Sequence, residues 1–202
     1  MKRMRLVALS LALAVLLGGC SAEPQAVAPE PAQEPLVVFL VRHGEKVDAS
    51  EDPELSPAGD ERAIALALAL RDAEIDQIHS SDYIRTRDTA APTAETLALE
   101  VQIYDPRDLP SLAERLLAAR GRHLVVGHSN TTPAMTGLLG GEPGPEIDEN
   151  GEFDRLYVVT VGSDDSVQTV LLRYGEPYDE QAAEAEPVDE GPQAQPASPE
   201  SQ

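Results

Sequence analysis

The chain has 202 residues, room for one ordinary domain, and carries 36 acidic against 15 basic side chains, a formal net charge of −21. So acidic a body repels nucleic acid backbones and anionic lipid head groups, which argues against either as a partner of the folded part. Its one cysteine, Cys20, excludes an intramolecular disulfide.

In chain order, residues 1–19 read as an export signal: Lys2, Arg3 and Arg5 precede an apolar run from Leu6 to Leu17 and the small pair Gly18-Gly19. The run is too short for a membrane-spanning helix. Leu17-Gly-Gly-Cys20 resembles the bacterial lipobox, in which the cysteine becomes the lipid-bearing first residue of the mature protein, a membrane attachment made essentially permanent by several acyl chains. Ser21 is compatible with sorting to an outer membrane. Residues 20–35 then form a Pro/Ala/Glu-rich tether, able to hold a domain about 45 Å from its anchor if extended. Without the three basic residues of the signal, the remaining twelve face 36 acidic ones, a formal charge of −24.

Residues 36–175 alternate strand and helix patterns. Leu36 to Val41 is a continuous, valine-rich apolar run, as in a strand buried on both faces. Ser56-Pro57 caps a predicted helix whose core, Ile64-Ala-Leu66-Ala-Leu68-Ala-Leu70, has a period of two. The alanines and the cap decide for helix over strand. Ile75–His79, Val101–Tyr104 and His123–Val126 are predicted strands, and 83–99, with a kink at Pro92, and 109–120 are predicted helices. Leu156–Val161 and Val167–Arg173 flank the turn signal Gly162-Ser-Asp-Asp and predict a hairpin. The pattern is that of an α/β fold with a mostly parallel sheet covered on both faces. Residues 176–202, with eight acidic residues and no basic ones, read as a disordered acidic tail.

Ligands in such sheets bind beyond the carboxyl ends of the strands. Arg42-His43-Gly44-Glu45 ends the first strand, Gly127-His128-Ser129-Asn130 ends the fourth, and Ser80-Ser81 leads from the second into a helix with Arg85. Arg42, His43, Arg85 and His128 thus converge on one rim as a dianion pocket, arginine suiting phosphate through its planar fork. Arg85 is preferred to Arg87 because it shares a helix face with Ser81 and Thr89. Glu45 and Lys46 are placed at the entrance, and Asn130, Thr131 and Thr132 are read as helix-capping residues. His79 and His123 are read as structural or exposed. The four histidines lack metal-ligand spacing, and two adjoin arginine, so neither a metal nor another cofactor is expected.

Arg42-His43-Gly44, Ser81-Asp-Tyr-Ile-Arg85-Thr-Arg-Asp-Thr89-Ala90, Gly127-His128 and Leu55-Ser56-Pro-Ala-Gly59-Asp-Glu-Arg62-Ala63 together resemble the histidine phosphatase superfamily, also called phosphoglycerate mutase-like. The resemblance spans Leu36 to Arg173, with the motifs in the family's order. It implies a three-layer α/β/α sandwich, phosphorylation of His43, and binding of the phosphoryl oxygens by Arg42, Arg85 and His128.

The sequence departs from many family members at the general acid. Ser129 follows His128 where some have aspartate, and no glutamate-bearing loop is evident; Asp105 and Asp108 are the nearest candidates. The chain resembles instead the compact members, such as bacterial phosphohistidine phosphatases. The expected function is hydrolysis of a small phosphoester or phosphoramidate outside the cytoplasm, at a bacterial membrane that holds the lipid on Cys20. The alternative is a lipoprotein that binds a phosphorylated ligand or a protein without turnover.

Overall fold

A computed structural model describes residues 33–179. The expected signal, Cys20, most of the tether and the tail from residue 180 lie outside the described residues. Ten elements follow in order: β1 (Leu36–Arg42), α1 (Pro57–Leu70), β2 (Gln77–Ser81), α2 (Ile84–Leu97), β3 (Val101–Tyr104), α3 (Leu109–Ala119), β4 (Gly121–Gly127), α4 (Thr131–Leu138), β5 (Arg155–Val161) and β6 (Val167–Arg173). The six strands form one sheet in the order β3-β2-β4-β1-β5-β6. β3, β2, β4 and β1 run parallel, whereas the hairpin β5–β6 joins β1 antiparallel, so the sheet is mixed with a parallel majority.

All seven residues of β1 are buried, and they alternate between two cores. Leu36, Val38 and Leu40 join Leu112 and Leu116 of α3 and Met135 of α4. Val37, Phe39 and Val41 join Leu66 and Leu70 of α1 and Ala90 and Ala94 of α2. Helices therefore cover both faces, which is why the strand needs an unbroken apolar sequence. The period-two run resolves as helix, with Ser56 Oγ accepting from Gly59 N at 3.2 Å. Leu66 and Leu70, four apart, are buried, while Ile64 and Leu68 are more than half exposed. α2 continues through Pro92, which has no N–H to donate to the preceding turn.

Two close approaches set the sequence around the future site. A side chain at Gly59 would meet Glu45 O at 2.3 Å, because α1 begins against the loop that leaves β1. A side chain at Gly127 would meet Thr131 Oγ1 at 2.7 Å and Tyr104 Oη at 3.0 Å. Glycine is the residue that fits such contacts with backbone and fixed side chains.

The domain extends slightly past its expected boundary. Arg62, buried on α1, donates to the carbonyls of Tyr174 and Glu176 at 2.9 and 3.0 Å. Asp154 accepts from Tyr178 N, and Tyr178 Oη donates to Asp148 at 3.0 Å. Residues 176–179, read from composition as the start of the tail, are thus bound to the domain.

Candidate active site

Sheet register explains why distant motifs meet. Arg42 pairs with Gly127 across β1 and β4, so His43 and His128 each take the next position beyond adjacent strand ends. His43 N donates to Gly127 O at 2.9 Å, and the two imidazoles stand edge to face with centroids 5.4 Å apart. β2 lies on the other side of β4, with Ser80 opposite Val126, which brings Ser81 beside His128. These strand ends and α2 surround a cavity of about 410 Å³ lined by His43, Lys46, Tyr83, Arg85, Arg107 and His128, with Glu149 and the residues that open α4. The positive end of the α4 dipole therefore borders the cavity and favours an anion there.

His43 is 4 % exposed. Its Nδ1 lies 2.7 Å from Gly44 O, an acceptor, so Nδ1 carries the proton and Nε2 keeps its lone pair. Burial holds its pKa down at about 3, opposed by the Gly44 hydrogen bond and reinforced by Arg42, His128 and Arg85. The imidazole is neutral across the physiological range, as a nucleophile must be. His128, lowered to about 4 by burial and then by Arg85 and Arg42, has its Nε2 2.9 Å from Ser81 Oγ. Ser81 Oγ donates to Thr86 Oγ1, and Thr86 Oγ1 in turn donates to backbone carbonyls. That chain of hydroxyls makes Ser81 Oγ the acceptor and His128 Nε2 the N–H that donates to it, which fixes the tautomer of His128. Tyr83 packs edge-on against His128 at 5.0 Å, and the Arg85 guanidinium lies over the same tyrosine ring at 4.4 Å.

Arg85 and Arg87 separate clearly. Arg85 lines the cavity, weakly tied to Asp52 at 3.4 Å, whereas Arg87 pairs with Asp82 at the surface. Thr89 fixes the neighbouring loop by accepting from Gly44 N at 2.9 Å. Ser81, expected to share a helix with Arg85, belongs instead to the end of β2 and reaches the site from the strand. The Asn130 side chain makes no cap. Thr131 Oγ1 accepts from His128 N at 2.8 Å, and Thr132 Oγ1 donates to Val41 O at 3.1 Å.

The terminal nitrogens of Arg42 are engaged within the protein. Its Nη atoms donate to the carbonyls of Asp148, Glu152 and Glu149 at 3.0, 3.0 and 2.6 Å, and its guanidinium lies 3.9 Å over the Phe153 ring. The loop between α4 and β5 thereby engages both terminal nitrogens. Among the described residues, the buried Nε atoms of Arg42 and Arg85 have no hydrogen-bond partner. Buried donors of this kind are costly unless a ligand accepts from them, and they fit an anion-binding centre.

Asp105 does not fit the role of acid. It lies outside the His43 cavity, and hydrogen bonds from Arg107 lower its carboxyl to about 2, so it is ionised whenever the site works. Asp108 caps α3 instead, accepting from Ser111 N. Glu45, expected at the entrance, is bound to Arg62 at 2.7 Å. Among the described residues that line the cavity, the acidic one is Glu149. Sequence reasoning missed Glu149, Tyr83 and Phe153, although the rarity of Phe and Tyr here, two and five in the chain, offered a signal for the last two.

The model of the histidine phosphatase superfamily (branch 1) matches residues 38–115. Residues 38–115 are thus similar to the histidine phosphatase superfamily. The Photorhabdus laumondii protein named probable phosphoglycerate mutase GpmB is 31% identical over 130 residues, which are 61% of this chain and 59% of that protein. The chain thus spans about three fifths of the length of this curated relative. Among solved structures, the protein histidine phosphatase SixA complexed with tungstate has a TM-score of 0.57 at 19% identity, covering 68% of this chain and 97% of that one. A mycobacterial glucosyl-3-phosphoglycerate phosphatase has a TM-score of 0.54 at 18% identity, covering 70% and 99%. These likenesses show the shared fold.

His79 and His123 form a second buried pair away from the cavity. His123 Nε2 donates to Arg120 O at 2.7 Å, which leaves its Nδ1 to accept from His79 Nε2 at 3.2 Å. Burial, then His123 and Arg115, lower His79 to about 4. With His43, His79 and His128 all depressed below the unfolded value near 6.5, the unfolded chain binds protons that the folded one refuses once pH drops below about 6.5. Stability is therefore complete above that pH and declines toward pH 4, on the order of 1 kcal/mol per pH unit for each histidine. Circular-dichroism melts from pH 4.5 to 7.5 should show a rising, then level, melting temperature; a flat curve down to pH 5 contradicts the assignment.

Proposed function

We propose that the protein is a phosphohydrolase that works through a phosphohistidine on His43, on a small phosphoester or phosphoramidate outside the cytoplasm. One observation carries the reading: a buried, neutral His43, with its Nε2 lone pair unengaged, lines a cavity shared with Arg85, His128 and the α4 N-terminus. In the first step Nε2 bonds to phosphorus while the bond to the leaving oxygen or nitrogen breaks. Negative charge on the phosphoryl oxygens is met by Arg85, the helix terminus and the His128 Nε2–H, which exchanges Ser81 Oγ for a phosphoryl oxygen, the stabilisation that dominates phosphoryl transfer. Water then attacks the phosphohistidine, releasing phosphate and restoring the imidazole. Ionised Asp105 cannot protonate a leaving group, so aryl phosphates and phosphoramidates should react faster than sugar phosphates. The names of the related proteins, a phosphoglycerate mutase and a protein histidine phosphatase, support phosphoryl chemistry at this site.

Rapid acid-free quenching with labelled aryl phosphate should trap one phosphate per chain on His43, acid-labile and base-stable, as located by mass spectrometry. Tight vanadate binding with neither trapping nor turnover would instead identify a phospholigand-binding lipoprotein.

The location rests on the amino-terminal sequence: the cationic start, the Leu6–Leu17 run and Cys20 after Gly18-Gly19 support a lipid anchor on the outer side of a bacterial membrane. Cys20→Ser should move the protein from the membrane fraction to the soluble one. Retention at the membrane would remove the lipid-anchor reading.

A further inference from the structure

Beyond the signal sequence, Lys46 is the single lysine of the chain. It follows the nucleophile by three residues, is partly buried, and lines both the His43 cavity and a neighbouring one of about 320 Å³. Its backbone is fixed by a bridge to Leu55, with Val47 N donating to Glu54 O at 3.1 Å, so its position does not depend on a loose loop.

The other cations at the cavity, Arg85 and Arg107, and Arg42 next to His43 are engaged. Arg42 is held by carbonyls, Arg85 reaches Asp52 at 3.4 Å, and Arg107 is matched by Asp105 at 2.9 Å. Lys46 has no acidic partner within 4.0 Å among the described residues, in a domain with a large excess of carboxylates. The neighbouring cavity is lined by Glu45, Asp48 and Glu149, of which Glu45 is neutralised by Arg62. An anion would be attracted to Lys46, repelled beyond it by Asp48, and opposed by Glu149, which borders both cavities.

We propose that Lys46 forms a second anion subsite beside the phosphoryl pocket, so that the substrate is a phosphate compound bearing a second negative group, carboxylate or phosphate, on a short spacer. The proposal rests on the phosphoryl-pocket reading of the site. A lysine suits this task because its compact charge and rotatable donors accept either group, where an arginine would favour a planar, two-point match.

The test uses stable ligands and the full-length chain. Methylphosphonate carries one anionic group, whereas phosphonoacetate adds a carboxylate and methylenediphosphonate a second phosphonate. At least one of the two doubly anionic ligands should bind about ten-fold tighter than methylphosphonate, the scale of one charge-assisted contact. The same ligand should protect Lys46 from an amine-specific reagent, read at that residue by mass spectrometry, where methylphosphonate does not. Whichever ligand does so identifies the second group. In Lys46→Gln the affinity ratio should collapse toward one, and in Glu149→Gln it should grow. Equal affinities for all three ligands in the wild type, or an undiminished ratio in Lys46→Gln, would overturn the subsite while leaving the phosphoryl pocket in place. Failure of all three to bind would overturn both.

Discussion

Replacing His43 by alanine should lower hydrolysis of an aryl phosphate by at least about ten-thousand-fold and abolish phosphoenzyme trapping, with the fold retained. The size of the effect follows from what the side chain supplies. Without Nε2 the covalent route is closed, and what remains is water attacking a phosphate positioned by Arg85, His128 and the α4 terminus. Those groups stabilise charge but provide no nucleophile, so residual activity reflects electrostatics alone. The imidazole makes one hydrogen bond, to Gly44 O, and packs against His128 and Phe153, so its loss leaves a small cavity next to polar groups. A melting curve measured on the same sample separates chemistry from folding, and His43→Gln, closer in size, serves if alanine perturbs the loop. Wild-type turnover in a folded His43→Ala protein would remove the covalent mechanism.

How much of this was readable in the sequence depends on the range of the interaction. β1 was legible because burial on both faces demands an unbroken apolar run, and its register against β4 carries His43 to His128. In α1 the period-two alternation concealed which leucines are core, and the helix buries Leu66 and Leu70 while exposing Leu68. The placement of Arg42 was not legible. Its carbonyl partners lie 106 to 110 residues away and are backbone atoms, which no residue type announces. The same holds for the acid: Asp105 looked suitable from its place in the chain, but its own neighbour Arg107 turns it into an ion-paired carboxylate. The His79–His123 pair needed the parallel pairing of β2 with β4, which brings together residues 44 apart.

The largest stability effect is expected at Glu152, a residue outside the catalytic motifs. Its carboxylate is 4 % exposed and accepts from Arg155 at 2.6 and 2.7 Å, from Arg173 at 2.7 Å and from Asp148 N at 3.2 Å. Arg155 is 5 % exposed and lies at the base of the loop that holds Arg42. Glu152→Ala would leave that guanidinium buried without its counter-charge, and breaking such a pair costs about 3 kcal/mol or more. The urea midpoint should fall accordingly, whereas Arg71→Ala, which breaks the solvent-exposed pair with Asp72, should leave it unchanged within error. Activity should follow for a local reason. Glu152 O accepts from Arg42 Nη1, and the Glu152 carboxylate holds the amide of Asp148, whose carbonyl also accepts from Arg42. Loosening the loop therefore displaces Arg42, whose buried and unpartnered Nε is a donor suited to an anion beside His43, and KM for a phosphate ester should rise about ten-fold even well below the melting transition, the scale of one lost charge-assisted contact. Acid reinforces the effect in the wild type. Burial alone would raise the Glu152 pKa, but the hydrogen bonds from Arg155 and Arg173 outweigh it and hold the carboxyl below its usual value. The stabilisation is then complete above the unfolded carboxyl pKa and is lost as pH falls through the lower, folded one, a decline that Glu152→Ala should no longer show. If Glu152→Ala instead kept wild-type stability and KM, the loop would owe its position to other contacts, and Arg42 would not be set by this network.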